Sequence, residues 1–226
     1  VTWVWNNVDL IGQLTLLHLR QSVIPIALGL ILSVPLGWLA WRYRLLRNGI
    51  ITITGLLYTI PSLALLLLLP SVFGFSIFSD LNLIVALTVY AVALLVRSVA
   101  DGLSSVDSDV RQAATAIGYG GFRRFWAVEL PLAGPVVLAG VRVAAVSTIS
   151  LATVGILVGV QNLGYLFTNG YQRQIVPEIL AGVVTVVVIA LVVDLLLVVA
   201  GRVLLPWTRT AGSAHLHRIG LQKAAP

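Results

Sequence analysis

Five stretches of this chain are each apolar over the length that crosses a lipid bilayer, at about 21–41, 50–70, 81–100, 131–156 and 177–204. A hydrocarbon core of about 30 Å needs roughly 20 residues at the 1.5 Å helical rise. The last two stretches exceed that length, so they tilt or extend beyond the hydrocarbon. Lipid offers no hydrogen-bond partner to a peptide group, which makes each segment a helix and not an isolated strand. The fold class that follows is an all-α polytopic membrane protein with about five transmembrane helices. Composition agrees: 59% of the residues are hydrophobic and 10% charged, where soluble domains carry about 25% charge.

The basic residues set an orientation. Arg42, Arg44 and Arg47, then Arg97, Arg111, Arg123 and Arg124, then Arg202, Arg209, Arg218 and Lys223 all fall on one side of the five spans. Arg20 and Arg173 fall on the other, and Arg142 lies inside a span. The bias of Lys and Arg toward cytoplasmic loops predicts a cytoplasmic 101–130 loop and C-terminus and an outside N-terminus. Arginine in place of lysine, with abundant Val, Ala and Gly, suggests a GC-rich bacterial genome and so a bacterial cytoplasmic membrane. Residues 1–20 mix Trp3, Trp5, Leu10, Ile11, Leu14 and Leu17 with polar groups, and are expected as an interfacial helix on the outer leaflet. No removable signal peptide is expected at the start of the chain. Residues 21–205 form the transmembrane domain and 206–226 a polar cytoplasmic tail. The net charge of +6 does not imply nucleic acid, because the basic residues flank apolar spans. There is no cysteine, hence no disulfide and no thiolate metal site. His215 and His217 sit in the polar tail and are read as solvated, so no metal site is assigned.

The loop at 101–130 is ordered by its own residues. Asp107 is placed to cap a short helix through its carboxylate, and Asp109 sits near the positive end of the helix dipole. Val110, Ala113, Ala114 and Ile117 recur at helical spacing as a narrow apolar stripe. Gly118 stops the helix, Gly120-Gly121 permits a bend, and Leu130-Pro131 opens the next span. An amphipathic loop resting on the inner leaflet and a docking helix for a soluble partner both fit these features.

The pattern Gln112-Ala113-Ala114, Gly118 and Leu130-Pro131 resembles the EAA loop of ABC importer membrane subunits. The segments Thr59-Ile60-Pro61-Ser62-Leu63-Ala64-Leu65-Leu66, Leu103-Ser104-Ser105-Val106-Asp107, Val128-Glu129-Leu130-Pro131-Leu132 and Leu138-Ala139-Gly140-Val141-Arg142 are similar to those of osmoprotectant permeases, over about residues 10–205. The resemblance implies a type I, MetI-like importer fold and transport of glycine betaine, choline or carnitine. It implies a second permease subunit (a copy or a homologue), two ATPase subunits that hold ATP and Mg, and an extracytoplasmic solute-binding protein. It also makes Asp107, Gln112, Ala113, Ala114, Ile117, Gly118 and Tyr119 the surface that contacts the ATPase. Two departures stand out: Gln112 replaces the usual acidic residue, and Gly159-Val160-Gln161-Asn162-Leu163-Gly164 replaces a glycine-rich stretch.

Arg142 lies eleven residues beyond Pro131 and Asp194 ten residues before Leu204, which puts them about 16 and 15 Å from the same face. Isolated charges at that depth are costly, so an ion pair facing the helix bundle is expected, with a proton or substrate relay as the alternative. Pro61 removes a backbone donor in the second span and crowds the carbonyl of Leu57. The kink it produces either packs the bundle or places Tyr58, Thr59, Pro61 and Ser62 beside a translocation path, with Tyr58 or Tyr90 as a cation–π surface. No Gly-x-x-x-x-Gly-Lys-Ser/Thr loop is present, so ATP hydrolysis is assigned to partner chains, and this chain is not an enzyme and binds no cofactor. The alternatives are an ABC permease for another small solute, such as an amino acid or oxyanion, and a self-sufficient channel or carrier. An intramembrane enzyme lacks both a metal cluster and a base in the spans.

Overall fold

The computed structural model describes residues 2–207, and over them the chain is a helical bundle. A short helix α1 (Thr2–Asn6) leads into α2 (Val8–Arg42), followed by α3 (Arg44–Thr59) and α4 (Ser62–Phe73). The central helix is α5 (Asp80–Ser104), and the short α6 (Ser108–Ala116) and α7 (Gly121–Arg124) come next. A π-helical turn (Phe125–Glu129) joins α7 to α8 (Leu130–Ala152), which tightens into a 3₁₀ turn (Thr153–Val158). The chain then forms α9 (Gly164–Gln172) and α10 (Val176–Leu204). Among the described residues four helical stacks are long and apolar enough to cross a membrane, and α3 and α4, bent by 107° at their break, reach that apolar length only as a pair.

The bundle is organised around α5. Leu83, Leu95, Val96, Val99 and Leu103 are fully buried, and they meet α2 on one side and α8 on another. One core cluster joins Leu95, Val99 and Leu103 to Phe125, Val137 and Val141. Another joins Leu65, Leu66 and Leu69 of α4 to Leu83, Leu87 and Tyr90. Close approach of α2 to α5 depends on glycine. A Cβ built on Gly29 falls 2.5 Å from the Cβ of Ala91, and one on Gly37 falls 2.6 Å from the Cβ of Val99. Without a hydrophobic force between helices in lipid, such small-residue contacts carry much of the packing.

Three sequence-based boundaries differ from the backbone. The helix that starts at Val8 continues unbroken to Arg42, so an interfacial helix over 1–20 separate from a span over 21–41 has no counterpart. The cause is packing: Leu14, His18, Gln21 and Ser22 are buried, and Leu14 clusters with Ile149, Leu163 and Leu166. That helix is about 52 Å long at 1.5 Å per residue, more than the hydrocarbon requires. The second span is not a kinked helix but two helices. Ile60 and Pro61 both adopt extended backbone, with ψ of 129° and 134°, as steric restriction before a proline favours. The fourth crossing begins at Gly121, ten residues before the expected start, because α7 and the π turn stack directly under α8. The expected polar tail over 206–226, with His215 and His217, lies outside the described residues apart from its first two positions.

Replacement of Gly37 by Leu is expected to destabilise the α2–α5 contact by about 1–3 kcal/mol, read as a lower midpoint of thermal unfolding in detergent. Gly12→Ala, where an added Cβ meets nothing within 4 Å and alanine is the better helix former, does not lower that midpoint.

Candidate functional site

The short helix α6 is the most exposed helix that is also well anchored. Asp107 caps it: its Oδ1 accepts from the amide of Asp109 at 2.8 Å. At the other end the amides of Gly118 and Tyr119 donate to the carbonyls of Thr115 and Ala114, both at 3.0 Å. This closing pattern needs a left-handed residue after the helix, and Gly118 supplies it with φ of +93°. Of the apolar stripe only Ala114 is buried. Val110 is 40% and Ile117 76% exposed, and Gln112 and Ala113 are exposed with them. Tyr119 is half-buried, its ring 4.7 Å from the guanidinium carbon of Arg123. The helix thus turns its apolar stripe outward, at the arginine-rich end of the bundle.

Two arginines tie α6 to the membrane helices. Arg111 Nη1 donates to the carbonyl of Leu103 at 3.2 Å, and its guanidinium lies 5.4 Å from the ring centre of Trp41. Arg124 Nη1 donates to Thr115 Oγ1 at 2.7 Å, while its Nε donates to Glu129 Oε1 at 2.8 Å. Glu129 is 2% exposed and lies in the π turn, a rare geometry often found at functional sites. Arg111 thus links α6 to the ends of α2 and α5, and Arg124 links it to the base of α8. Adjacent in sequence, Arg123 is exposed and Arg124 half-buried. The structure separates them, and the signal was available in Glu129, an acid beside a membrane entry with no other reason to be buried.

The break between α3 and α4 gathers the second group of residues singled out in the sequence. Tyr58 is 43% exposed, and Thr59 and Pro61 are exposed too, with Ser62 half-buried. Thr59 Oγ1 donates to the carbonyl of Leu56 at 2.7 Å, and no side chain caps the start of α4. Tyr90 does not belong to that exposed group: it is 4% exposed, and its hydroxyl donates to the carbonyl of Ile60. It therefore satisfies a carbonyl freed by the break and stacks edge-on against Tyr58, 5.9 Å between centres. Of the two tyrosines only Tyr58 is exposed. Irregular backbone at membrane depth is tolerated where it meets water or protein, not lipid.

Arg142 and Asp194 meet in a two-point contact, Nε to Oδ1 at 2.7 Å and Nη2 to Oδ2 at 2.8 Å. Their orientation differs from expectation. The pair does not face the interior but lies in an open groove between α8 and α10, with the two side chains 41% and 28% exposed.

At the end of the bundle opposite α6, a polar cluster went unanticipated. Arg20 and Asp80 form an ion pair. Gln21 Nε2 donates to Asp80 Oδ1 at 3.0 Å and to the carbonyl of Gln161 at 3.1 Å. In the stretch that departs from the glycine-rich pattern, Asn162 is fully buried. Its Nδ2 donates to the carbonyl of Ala152 at 2.8 Å, and its Oδ1 accepts from the amide of Gly164 at 2.8 Å. Asn162 thus closes the 3₁₀ turn onto α9. No sequence periodicity marks this contact, because both partners are backbone groups.

Residues 26–210 match the family described as binding-protein-dependent transport system inner membrane component. The chain is 32% identical over 200 residues to the osmoprotectant import permease protein OsmW of Salmonella typhimurium, covering 87% of this chain and 93% of that one. It is 35% identical over 193 residues to the choline transport system permease protein OpuBB of Bacillus subtilis, covering 84% and 86%. It is 33% identical over 193 residues to the glycine betaine/carnitine/choline transport system permease protein OpuCB of the same organism, again covering 84% and 86%. In fold it is similar to a chain of the MetNI methionine ABC transporter in an inward-facing conformation. The TM-score is 0.71 at 22% identity, over 87% of this chain and 95% of that one.

Arg124→Gln would leave the buried Glu129 without its cation, an expected loss of about 3 kcal/mol, and adding Glu129→Gln should recover most of it. Thermal unfolding of the two variants in detergent checks this. In the membrane, Asp194→Asn is expected to lower the yield of folded protein, and Arg142→Gln in the same chain to restore it in part. A wild-type yield for Asp194→Asn alone would mean that the pair does not support the fold.

Proposed function

The chain belongs to the family of binding-protein-dependent transport system inner membrane components, and from that premise we propose that its solute is a small osmoprotectant such as glycine betaine, choline or carnitine. It is a multi-pass membrane permease subunit with a type I, MetI-like importer fold. The family description implies a solute-binding protein, and membership of an ABC importer implies an ATPase. The finer assignments follow as proposals. The 101–130 loop and the C-terminus face the cytoplasm, as the arginine bias favours, and the permease pairs with a second permease subunit, two ATPase subunits and an extracytoplasmic binding protein. ATP and Mg belong to the ATPase.

The observation that carries the coupling role is α6. It is capped at both ends, turns Val110, Ala113 and Ile117 outward, and is bound to three membrane helices through Arg111 and Arg124. A partner that pushes α6 therefore moves the ends of α2, α5 and α8 together, a rocking of packed elements between two arrangements. Asp107 and Gly118 fix the ends of the surface, and Gln112, Ala113, Ala114, Ile117 and Tyr119 complete it. Solute passes beside the break between α3 and α4, where Tyr58 offers a π face to a quaternary amine and Thr59, Pro61 and Ser62 border exposed backbone. Similarity to the osmoprotectant and choline permeases favours this solute class over an amino acid or oxyanion.

Co-purification with the ATPase of the same system tests the docking role, and Gly118→Val tests the coupling. At φ of +93° a β-branched residue strains the helix stop. The variant is expected to keep ATP hydrolysis but lose most uptake per ATP. Uptake per ATP equal to wild type would remove the coupling role from α6.

A further inference from the structure

We propose that the hollow between α2 and α7 holds one anionic phospholipid, with an acyl chain along an apolar groove and its phosphate against Arg111 and Arg124. The groove has a volume of about 750 Å³ and is walled by Leu30, Val34 and Trp38 of α2 and by Phe122, Phe125 and Trp126. Its lining has no hydrogen-bonding side-chain group except the two indoles. Phe122 is 81% and Trp126 52% exposed, aromatic surface that the described residues leave open. An adjoining hollow of about 640 Å³ is polar, bordered by Trp41, Ser108, Arg111, Gln112, Thr115 and Arg124. The two are neighbours on both walls. Trp41 stands three residues, or about 4.5 Å, beyond Trp38 on α2, and Phe125 follows Arg124 in the chain.

The polar hollow is cationic, with two guanidinium groups and no carboxylate in its lining. Glu129 balances Arg124. Among the described residues Asp101 pairs with Arg47 and Arg97, while Arg111 meets the carbonyl of Leu103 and the ring of Trp41 instead of an acid. A guanidinium has five N–H groups. Arg111 donates one to that carbonyl, and Arg124 donates two, to Glu129 and Thr115. Each retains N–H groups that can serve a phosphate, the anion whose paired oxygens match the arginine fork.

Depth fits the same molecule. From Leu30 to Trp41 α2 rises about 16 Å, close to one leaflet of a hydrocarbon core of about 30 Å. Trp38, Trp41 and Tyr43 gather at the charged end of α2, as aromatic rings do at headgroup level. An acyl chain in the groove therefore brings its phosphate level with the two arginines, in the manner of basic pockets that take acidic headgroups. A zwitterionic lipid fills the groove as well but brings no net charge. Ser108, Arg111, Gln112 and Thr115 recur at three and four residues and share one side of α6, with Val110, Ala113 and Ile117 on the other. The outward apolar stripe thus stays open when the lipid is bound. Because Arg111 and Arg124 tie α6 to the membrane helices, the lipid becomes part of that joint. The site depends on the membrane fold and not on which solute is carried.

The test uses the complete transporter, permease with ATPase, in phosphatidylcholine nanodiscs. They carry photoactivatable phosphatidylglycerol or phosphatidylcholine with the same diazirine-bearing acyl chain, and adducts are mapped by peptide mass spectrometry. The expected result is labelling of residues 30–38 and 122–126 by the phosphatidylglycerol probe, with little from the phosphatidylcholine probe, while both label the exposed face of α10 alike. Arg111→Gln is expected to lower groove labelling by phosphatidylglycerol at least about tenfold, as loss of a hydrogen bond to a charged group implies, without changing labelling of α10. Ile31→Trp narrows the groove and keeps both arginines, so it serves should Arg111→Gln fold poorly; the same loss is expected. Equal groove labelling by the two probes would overturn the proposal in favour of ordinary boundary lipid. So would a phosphatidylglycerol preference that survives Arg111→Gln in folded protein, or groove labelling that persists in Ile31→Trp. Loss of the labelling on adding inorganic phosphate at matched ionic strength would assign the arginines to a soluble anion, and a groove labelled by neither probe would assign it to protein; both overturn the lipid.

Discussion

Hydrocarbon supplies no hydrogen-bond partner, and nearly every polar feature of this protein answers to that constraint. Inside the bundle the groups are matched to backbone: the His18 ring to the carbonyl of Ile149, Asn82 to Leu66, Asn162 to Ala152. Buried polar groups are stable only when so bonded. Matching inside the bundle is not complete: His18 Nδ1, Ser33 Oγ, Asn82 Oδ1 and Glu178 Oε2 are buried without a partner among the described residues. Three surfaces stand outside that matching: the break at Ile60–Pro61, the groove with Arg142 and Asp194, and the outward face of α6.

The mechanical link among them is short. Arg111 and Arg124 join α6 to three membrane helices, and Glu129 is held in the π turn at the root of α8. Further along the same helix stands Arg142, at the groove. A displacement of α6 thus enters the helix that also carries Arg142. α5, buried at the centre and packed against α2, α8 and the bent α3–α4 pair, gives the moving parts a fixed partner.

Much of this was legible in the residues. Apolar length marks the crossings, because the bilayer sets a minimum that only a few segments reach. The cap at Asp107 and the stop at Gly118 were legible because each rests on one residue type with one local task. The pairing of Arg142 with Asp194 follows from equal depth. Its direction does not, since the rotation of a helix about its axis is fixed by neighbours such as Leu138 against Gly201, which depth counts do not register. The continuity of α2 through residue 20 was hidden because its polar residues, His18, Gln21 and Ser22, are satisfied by distant or backbone groups. Tyr90 was misassigned to the path for a related reason: its hydroxyl serves the carbonyl of Ile60, and nothing in the spacing distinguishes a capping tyrosine from one that faces solute.

The central claim is that energy for transport enters from separate chains through α6. Accumulation of labelled glycine betaine in liposomes tests it most directly, with the permease reconstituted alone or with its ATPase and binding protein at matched density. The account predicts uptake against a gradient only in the complete assembly with ATP inside the ATPase compartment. Concentrative uptake by the permease alone would contradict it.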